Sequence, residues 1–165
     1  MTPPDTRSNA RPAPLSATER KDLLDRTRTI AIVGASANPA RASNFVITYL
    51  KSSTCDFTLY PVNPTETEIL GLRCYPSLFD LPEPPDMVDV FRRPDDCPPV
   101  ARDAVAVGAS SLWLQLGIVS DEAATIAAEG GLAVVMDRCV KIEHARFAGG
   151  LHLAGFDTGV IDSRR

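Results

Sequence analysis

Hydrophobic residues in this chain cluster into five short segments, separated by stretches in which apolar residues recur at helical spacing. Each segment is rich in β-branched or bulky apolar residues, which is typical of strands buried on both faces of a parallel sheet. The predicted strands are Thr29–Val33, Phe57–Val62, Met87–Phe91, Ser111–Gln115 and Leu132–Met136. Because strands that alternate with helices indicate right-handed crossovers, we predict a doubly wound, Rossmann-like three-layer α/β fold with a five-stranded, mainly parallel sheet.

Periodicity and capping residues predict the helices between these strands. Two apolar sets each lie on one helical face, the first being Phe45, Val46, Tyr49 and Leu50 and the second Val100, Ala104 and Val107. The segment Ser16-Ala17-Thr18-Glu19 is a candidate capping box, which predicts a helix that ends at about Arg26. Ser120 is expected to begin another helix, and Gly108 and Gly130 are expected to end helices.

Length and composition predict one domain. The chain has 165 residues, of which 44% are hydrophobic, enough for a single sizeable core. We assign residues 1–15 to a flexible N-terminal tail and residues 16–165 to a single Rossmann-like domain, without assigning an element to its glycine-rich C-terminal segment. No apolar run reaches the ~20 residues of a membrane span, and the N-terminal segment lacks the apolar stretch of a secretory signal.

Charge and cysteine usage exclude several function classes. The net charge of −4 argues against a nucleic-acid binder, which normally has a basic face. The cysteines are Cys55, Cys74, Cys97 and Cys139, with no C-x-x-C pair, so we expect reduced thiols in a cytoplasmic protein and no metal site. The composition leaves open a small anionic ligand held by a few arginines.

The loop after the first predicted strand is a candidate phosphate-binding turn. Gly34 permits the tight turn, and the helix that follows offers unsatisfied N–H groups and a positive dipole end to an anion. Ser36 adds a hydroxyl donor, while Arg41 and Ser43 lie at the helix entrance. The dinucleotide fingerprint G-x-G-x-x-G is absent, because Ser36 and Pro39 stand where its second and third glycines would be.

The ends of the other strands refine the ligand class. An NAD-binding domain has an acidic residue after its second strand to bind the ribose hydroxyls, whereas this chain has Asn63, which favours a ligand with a phosphorylated ribose. Arg92 and Arg93 follow the third strand, either to bind a phosphate or as a solvated pair balanced by Asp95–Asp96. After the fifth strand, Cys139 is a candidate redox thiol that could form a mixed disulfide with a thiol ligand.

Four motifs in this order carry a family resemblance: "PVNP", "VDVFRR", "WLQLG" and "MDRCVKIEH". From about residue 28 to the C-terminus, the chain resembles the stand-alone CoA-binding-domain proteins, small Rossmann-like proteins similar to the N-terminal domain of the succinyl-CoA synthetase α subunit. The resemblance implies that the chain binds coenzyme A or an acyl-CoA. It does not carry over ligase activity, which in the synthetase needs a phosphorylated histidine on a second domain.

The resemblance also implies which residues bind the ligand. The CoA site is expected to comprise Gly34, Ala35, Ser36, Ala37, Arg41, Ser43, Asn63, Pro64, Phe91, Arg92, Arg93, Leu114, Gln115, Leu116 and Gly117. We therefore expect a non-catalytic carrier or sensor, with no nucleic-acid or membrane partner, and leave open a protein partner or a homo-oligomer. The alternative is an NAD(P)-binding oxidoreductase or redox sensor on the same fold.

Overall fold

The computed structural model describes residues 11–52 and 56–148, and within these ranges the chain forms seven strands and five helices. The strands are β1 (Thr29–Val33), β2 (Thr58–Val62), β3 (Glu68–Ile69), β4 (Leu72–Arg73), β5 (Met87–Val90), β6 (Ser111–Leu114) and β7 (Ala133–Val135). The helices are α1 (Ala17–Arg26), α2 (Ala42–Leu50), α3 (Cys97–Ala106), α4 (Asp121–Glu129) and α5 (Val140–Ala148).

Five of the described strands form one parallel sheet in the order β2-β1-β5-β6-β7, and β3 and β4 form a separate antiparallel pair. After β2 the chain crosses to the other side of β1, so the strand order reverses between β1 and β5. In open α/β sheets, ligands bind outside the carboxyl ends of the strands at this kind of switch point. The predicted doubly wound fold with a five-stranded parallel sheet is confirmed.

The sheet register brings the carboxyl ends of four strands level with one another. Val33 of β1 lies beside Val62 of β2 and Val90 of β5, and Val90 lies beside Leu114 of β6. The residues that follow these positions therefore meet at one edge of the sheet.

Each face of the sheet is covered by helices, which gives the predicted three layers. One buried cluster joins Ile32 and Trp113 of the sheet to α1, α2 and α5. The other joins Val88 and Leu112 to α3 and α4. Because successive side chains of a strand point to opposite faces, each central strand contributes to both clusters.

Four predicted helix boundaries are confirmed. Ser16 Oγ accepts a hydrogen bond from Glu19 N (3.2 Å), and Glu19 Oε2 accepts one from Ser16 N (2.7 Å), which completes the capping box of α1. Ser120 Oγ accepts from Ala123 N at the start of α4, and Gly130 caps its end. Gly108 follows α3 with a φ of +79°, as expected for a residue that ends a helix.

The structure differs from the sequence prediction on the faces of two helices. In α2, Val46 and Leu50 are buried as predicted, but Phe45 is 58% exposed, and Ile47 is buried instead. In α3, Ala104 is buried as predicted, whereas Val100 and Val107 are only half-buried, and the small residues Cys97 and Ala101 contact the core. The β3–β4 pair and helix α5 were not predicted, since the first is too short to show periodicity and the second is rich in charged residues.

Both ends of the sequence bear on the domain prediction. Residues 11–15, assigned to the flexible tail, contact the domain, because Leu15 packs against the core and its carbonyl accepts from Arg20 Nη1 (2.7 Å). The glycine-rich segment 149–165 and Cys55 lie outside the described residues. Among the helices of the described ranges, none is long and apolar enough to cross a bilayer.

Candidate functional site

A groove of about 990 Å³ opens at the carboxyl edge of the sheet, at the β1–β5 switch point. Its walls are the loops after β1, β2, β5 and β6 together with the N-terminal turns of α2 and α5. The predicted residues that line it are Gly34, Ala35, Ser36, Arg41, Ser43, Asn63, Pro64, Phe91, Arg92, Arg93, Gln115, Leu116 and Cys139. The topology thus brings together residues separated by more than 100 positions in the sequence.

Three predicted residues do not line this groove. Leu114, the last residue of β6, is fully buried in the cluster beneath α3 and α4, because its side chain points to the face of the sheet opposite to that of Gln115, the next residue. Ala37 lies exposed in the loop after β1. Gly117 is exposed in the loop after β6, where its N–H donates to Asp137 Oδ1 (2.8 Å).

The loop after β1 passes very close to the end of β5. Gly34 has a φ of +83°, and a Cβ at this position would lie 2.3 Å from the Phe91 carbonyl oxygen. The N–H groups of Gly34 and Ala35 both donate to Val62 O, at 3.2 and 3.3 Å. Gly34 is therefore required by its backbone conformation and by this close approach, and it fixes the floor of the groove.

The N-terminal turn of α2 presents polar groups to the groove. Arg41 is the N-cap residue and makes no side-chain capping hydrogen bond among the described residues. Ser43 is 2% exposed, and its hydroxyl has no hydrogen-bond partner in the described part of the chain. Buried polar groups are normally hydrogen-bonded, so this hydroxyl has an unused hydrogen-bonding capacity beside the open N–H groups of a helix start.

Asn63 joins the loops after β1 and β2. Its Nδ2 donates to Ala35 O (2.8 Å), and its Oδ1 accepts from Thr65 N (2.8 Å) and Thr65 Oγ1 (3.0 Å). These bonds use both ends of the side-chain amide, leaving one N–H that can face a ligand. The main effect of Asn63 is to hold the groove wall in place.

Four cationic side chains line the groove, and sequence analysis identified three of them. Arg93 Nε lies 3.3 Å from Asp96 Oδ2, so part of the predicted balance by the acidic pair is present. Arg41 and Arg92 are exposed and have no ion pair among the described residues. The fourth cation, Lys141, lies in the first turn of α5 and was missed because α5 was not predicted.

Four apolar side chains of the groove, which we call the apolar half, are Leu116 and Ile118 of the loop after β6, Ile142 of α5 and Phe45 of the first turn of α2. Sequence analysis identified only Leu116. The helical pattern of α2 does not predict that Phe45 is exposed, because it places Phe45 on the same face as Val46 and Leu50, which are buried.

Gln115 and Cys139 connect β6 to α5 at the floor of the groove. Gln115 Oε1 accepts from Val140 N (2.9 Å), and Gln115 Nε2 lies 3.8 Å from Cys139 Sγ. Cys139 is the N-cap residue of α5, because its carbonyl accepts from Glu143 N (3.0 Å). Burial raises the pKa of the Cys139 thiol, and hydrogen bonds from the backbone N–H groups of α5 offset this only in part. The raised pKa lowers the fraction of reactive thiolate.

A buried acid lies beneath this floor. Asp89 of β5 is two residues before Phe91, so both side chains point to the same face of the sheet. Its carboxyl group is fully buried and has no hydrogen-bond partner within the described ranges. Burial raises the pKa of Asp89 well above its usual value, which favours the neutral acid.

Comparisons with known proteins agree on one family. A sequence model described as "CoA binding domain" matches residues 28–145. The uncharacterized protein YneT of Bacillus subtilis is 38% identical over 130 residues, which is 79% of this chain and 95% of YneT. A hypothetical protein from Pyrococcus horikoshii has a solved structure that matches with a TM-score of 0.77 and 37% identity, covering 85% of this chain and 99% of that one.

A larger enzyme contains a similar domain. The dinucleotide-forming acetyl-coenzyme A synthetase 1 of Ca. Korarchaeum cryptofilum matches with a TM-score of 0.63 and 27% identity. The match covers 72% of this chain but only 28% of the synthetase. The resemblance predicted from the four motifs is therefore confirmed at the level of the domain.

Proposed function

Because this chain belongs to the CoA binding domain family, we propose that its groove binds coenzyme A and that the protein is a non-catalytic, cytoplasmic CoA carrier or sensor. The single observation that carries the proposal is the buried, unpartnered hydroxyl of Ser43, at a helix start that lines the groove. It is a prepared position for a phosphate oxygen, at the place where nucleotides bind in this fold.

The pyrophosphate of CoA fits the N-terminal turn of α2. Open N–H groups and the positive end of the helix dipole favour an anion there, and Ser43 supplies a hydroxyl donor. Arg41 at the N-cap adds a positive charge on the exposed side. The bent path of the loop after Gly34 keeps these groups on one wall.

The adenosine end of CoA fits the loops after β2 and β5. Asn63–Pro64 border this part of the groove, and Arg92 and Arg93 face it from the end of β5. CoA carries a 3′-phosphate on its ribose, which an arginine binds through charge-assisted hydrogen bonds. An acidic residue after β2 would repel that phosphate, and this chain has Asn63 instead.

The NAD alternative has weaker support at the same positions, and Ser36 and Pro39, which replace two glycines of the dinucleotide fingerprint, count against NADP as well. NAD enzymes bind the ribose hydroxyls through a carboxylate after the second strand. This chain has Asn63 there, and the amide oxygen of Asn63 accepts hydrogen bonds from Thr65. The separate thiol-based redox alternative would require Cys139 to react as a thiolate, and burial raises the pKa of this thiol. The hydrogen bonds of Asn63 and the raised pKa of Cys139 favour a groove that binds a ligand over one that carries out a redox reaction.

Arg41→Ala tests the proposal, with Arg102→Ala as the matched control. Arg102 is an exposed arginine of α3 that does not line the groove. In calorimetric titrations with CoA, we expect Arg41→Ala to weaken binding about tenfold, the effect of losing about 1.4 kcal/mol, and Arg102→Ala to bind as the unmodified protein does. Equal CoA affinity for both variants, or no CoA binding by the unmodified protein, would overturn the proposal.

A further inference from the structure

We propose that the apolar half of the groove binds the acyl chain of an acyl-CoA, so that the preferred ligand is an acylated CoA with an aliphatic chain of medium length. This inference rests on the proposed CoA binding. It extends that proposal from the nucleotide to the group attached to the CoA sulfur.

The two ends of the groove differ in chemistry along the order of the strands. The loops after β1 and β2 and the start of α2 present Ser36, Arg41, Ser43 and Asn63, whereas the loop after β6 and the start of α5 present Leu116, Ile118 and Ile142. Phe45, one turn along α2 from Arg41, is the member of the apolar half on the other side of the groove. From β2 to β6 the sheet edge spans three interstrand spacings, about 14 Å. A ligand whose phosphates bind at the β1–β2 end therefore extends its other end toward apolar side chains.

The exposure of these side chains points to an absent apolar ligand group. Phe45 is 58% exposed, and Leu116 and Ile142 are each 40% exposed. They are three of the six large hydrophobic residues that are exposed in the described ranges. Single exposed hydrophobic residues are common, but three that line the same groove indicate a binding surface.

The apolar half is held in a fixed shape by hydrogen bonds behind it. Asp137, with a φ of +56°, accepts from Gly117 N through its carboxylate (2.8 Å) and donates from its own N–H to Ile118 O (3.2 Å). On the other side, Gln115 Oε1 accepts from Val140 N and fixes the start of α5. A wall that is already ordered loses little conformational entropy when a chain binds.

The polar groups near this wall also limit what the acyl group can be. Gln115 is directed at α5 by both ends of its amide, because Oε1 accepts from Val140 N and Nε2 lies 3.8 Å from Cys139 Sγ. Lys141 is the cation at this end of the groove. A terminal carboxylate on the acyl group would bind Lys141, whereas an aliphatic chain would bind the apolar half, and the larger apolar area favours the chain.

Calorimetric titrations of the full chain with CoA, acetyl-CoA, octanoyl-CoA and succinyl-CoA test this inference. Each buried methylene is expected to tighten binding about fourfold, so we expect octanoyl-CoA to bind at least tenfold more tightly than acetyl-CoA. If the protein binds CoA but binds acetyl-CoA and octanoyl-CoA with equal affinity, the inference is overturned and the proposal of CoA binding stands. Absence of binding by all four would overturn both proposals, and tightest binding of succinyl-CoA would assign this end to Lys141 instead.

Two phenylalanines provide a matched pair of variants. Phe45 in the apolar half and Phe79 outside the groove are 58% and 61% exposed, so replacing either leaves the core intact. We expect Phe45→Ser to reduce the ratio of octanoyl-CoA to CoA affinity at least fivefold and Phe79→Ser to leave this ratio unchanged. The same ratio of octanoyl-CoA to CoA affinity in both variants would overturn the assignment of Phe45 to the acyl chain. The assignment would also be overturned if Phe45→Ser leaves this ratio unchanged but dissociates a dimer that the unmodified protein forms.

Discussion

The backbone of Gly34 lies against the carbonyl group of Phe91, so closely that a Cβ on the glycine would lie 2.3 Å from the carbonyl oxygen. This contact joins the ends of β1 and β5, the two strands between which the groove opens. The groove thus depends on one residue without a side chain, in a left-handed conformation.

Gly34→Ala is expected to destabilise the protein more than Gly131→Ala does. Gly131 has nearly the same φ, +86°, but has no atom within 4 Å of an added Cβ. The left-handed conformation costs roughly 1–2 kcal/mol in either variant, and the overlap with Phe91 adds about 1–3 kcal/mol for Gly34→Ala. Urea unfolding of the two variants measures the difference, and equal free energies of unfolding would contradict the role of the contact.

Arg92 is expected to bind the 3′-phosphate of CoA more strongly than Arg93 does. Arg93 is already close to Asp96, whereas Arg92 has no such pair among the described residues. We expect the unmodified protein to bind CoA about tenfold more tightly than dephospho-CoA, with this preference lost in Arg92→Ala and kept in Arg93→Ala. Calorimetric affinities of both ligands for both variants check this; a preference that survives in Arg92→Ala contradicts it.

Asp89 is expected to make stability fall as pH rises. Burial raises its pKa in the folded state, so the folded protein keeps a proton that the unfolded chain loses above about pH 4. The free energy of unfolding relative to Asp89→Asn should therefore fall by up to about 1.4 kcal/mol per pH unit above pH 4, until Asp89 ionises. Unfolding at several pH values measures this difference.

An exposed acid provides the control for that titration. Asp22 lies on the exposed side of α1, so Asp22→Asn controls for the replacement of one aspartate by asparagine at the surface. If Asp89→Asn follows the pH profile of the unmodified protein, the buried carboxyl does not titrate as described.

Cys139 is expected to remain a thiol in the presence of CoA disulfide at pH 7. Its raised pKa keeps it protonated, and thiol–disulfide exchange requires the thiolate. Intact mass and peptide mapping after incubation should show no CoA adduct on Cys139. An adduct on this residue at pH 7, absent from Cys139→Ser, would support the redox alternative instead.

Much of the fold could be predicted from the sequence because its signals are local. The five parallel strands are short apolar runs, and Ser16, Ser120 and Gly130 act within a few residues of their own positions. The predicted strand ends also identified most of the residues that line the groove, because the carboxyl ends of parallel strands lie at the same edge of the sheet.

The parts of the site that were missed depend on contacts distant in sequence. Phe45 is exposed because the groove lies beside it, and nothing in the helical pattern of α2 separates it from Val46. Leu114 was assigned to the site although its alternation with Gln115 turns it to the other face. Asn63 was expected to contact the ligand, but its bonds to Ala35 and Thr65 follow from tertiary structure.

We expect the groove to bind CoA in preference to a nicotinamide dinucleotide. Titration calorimetry of the unmodified protein with CoA and with NADH, at matched concentrations and ionic strength, tests it most directly. We predict saturable binding of one CoA per chain, at least tenfold tighter than any binding of NADH. Saturable binding of NADH without binding of CoA would contradict the account.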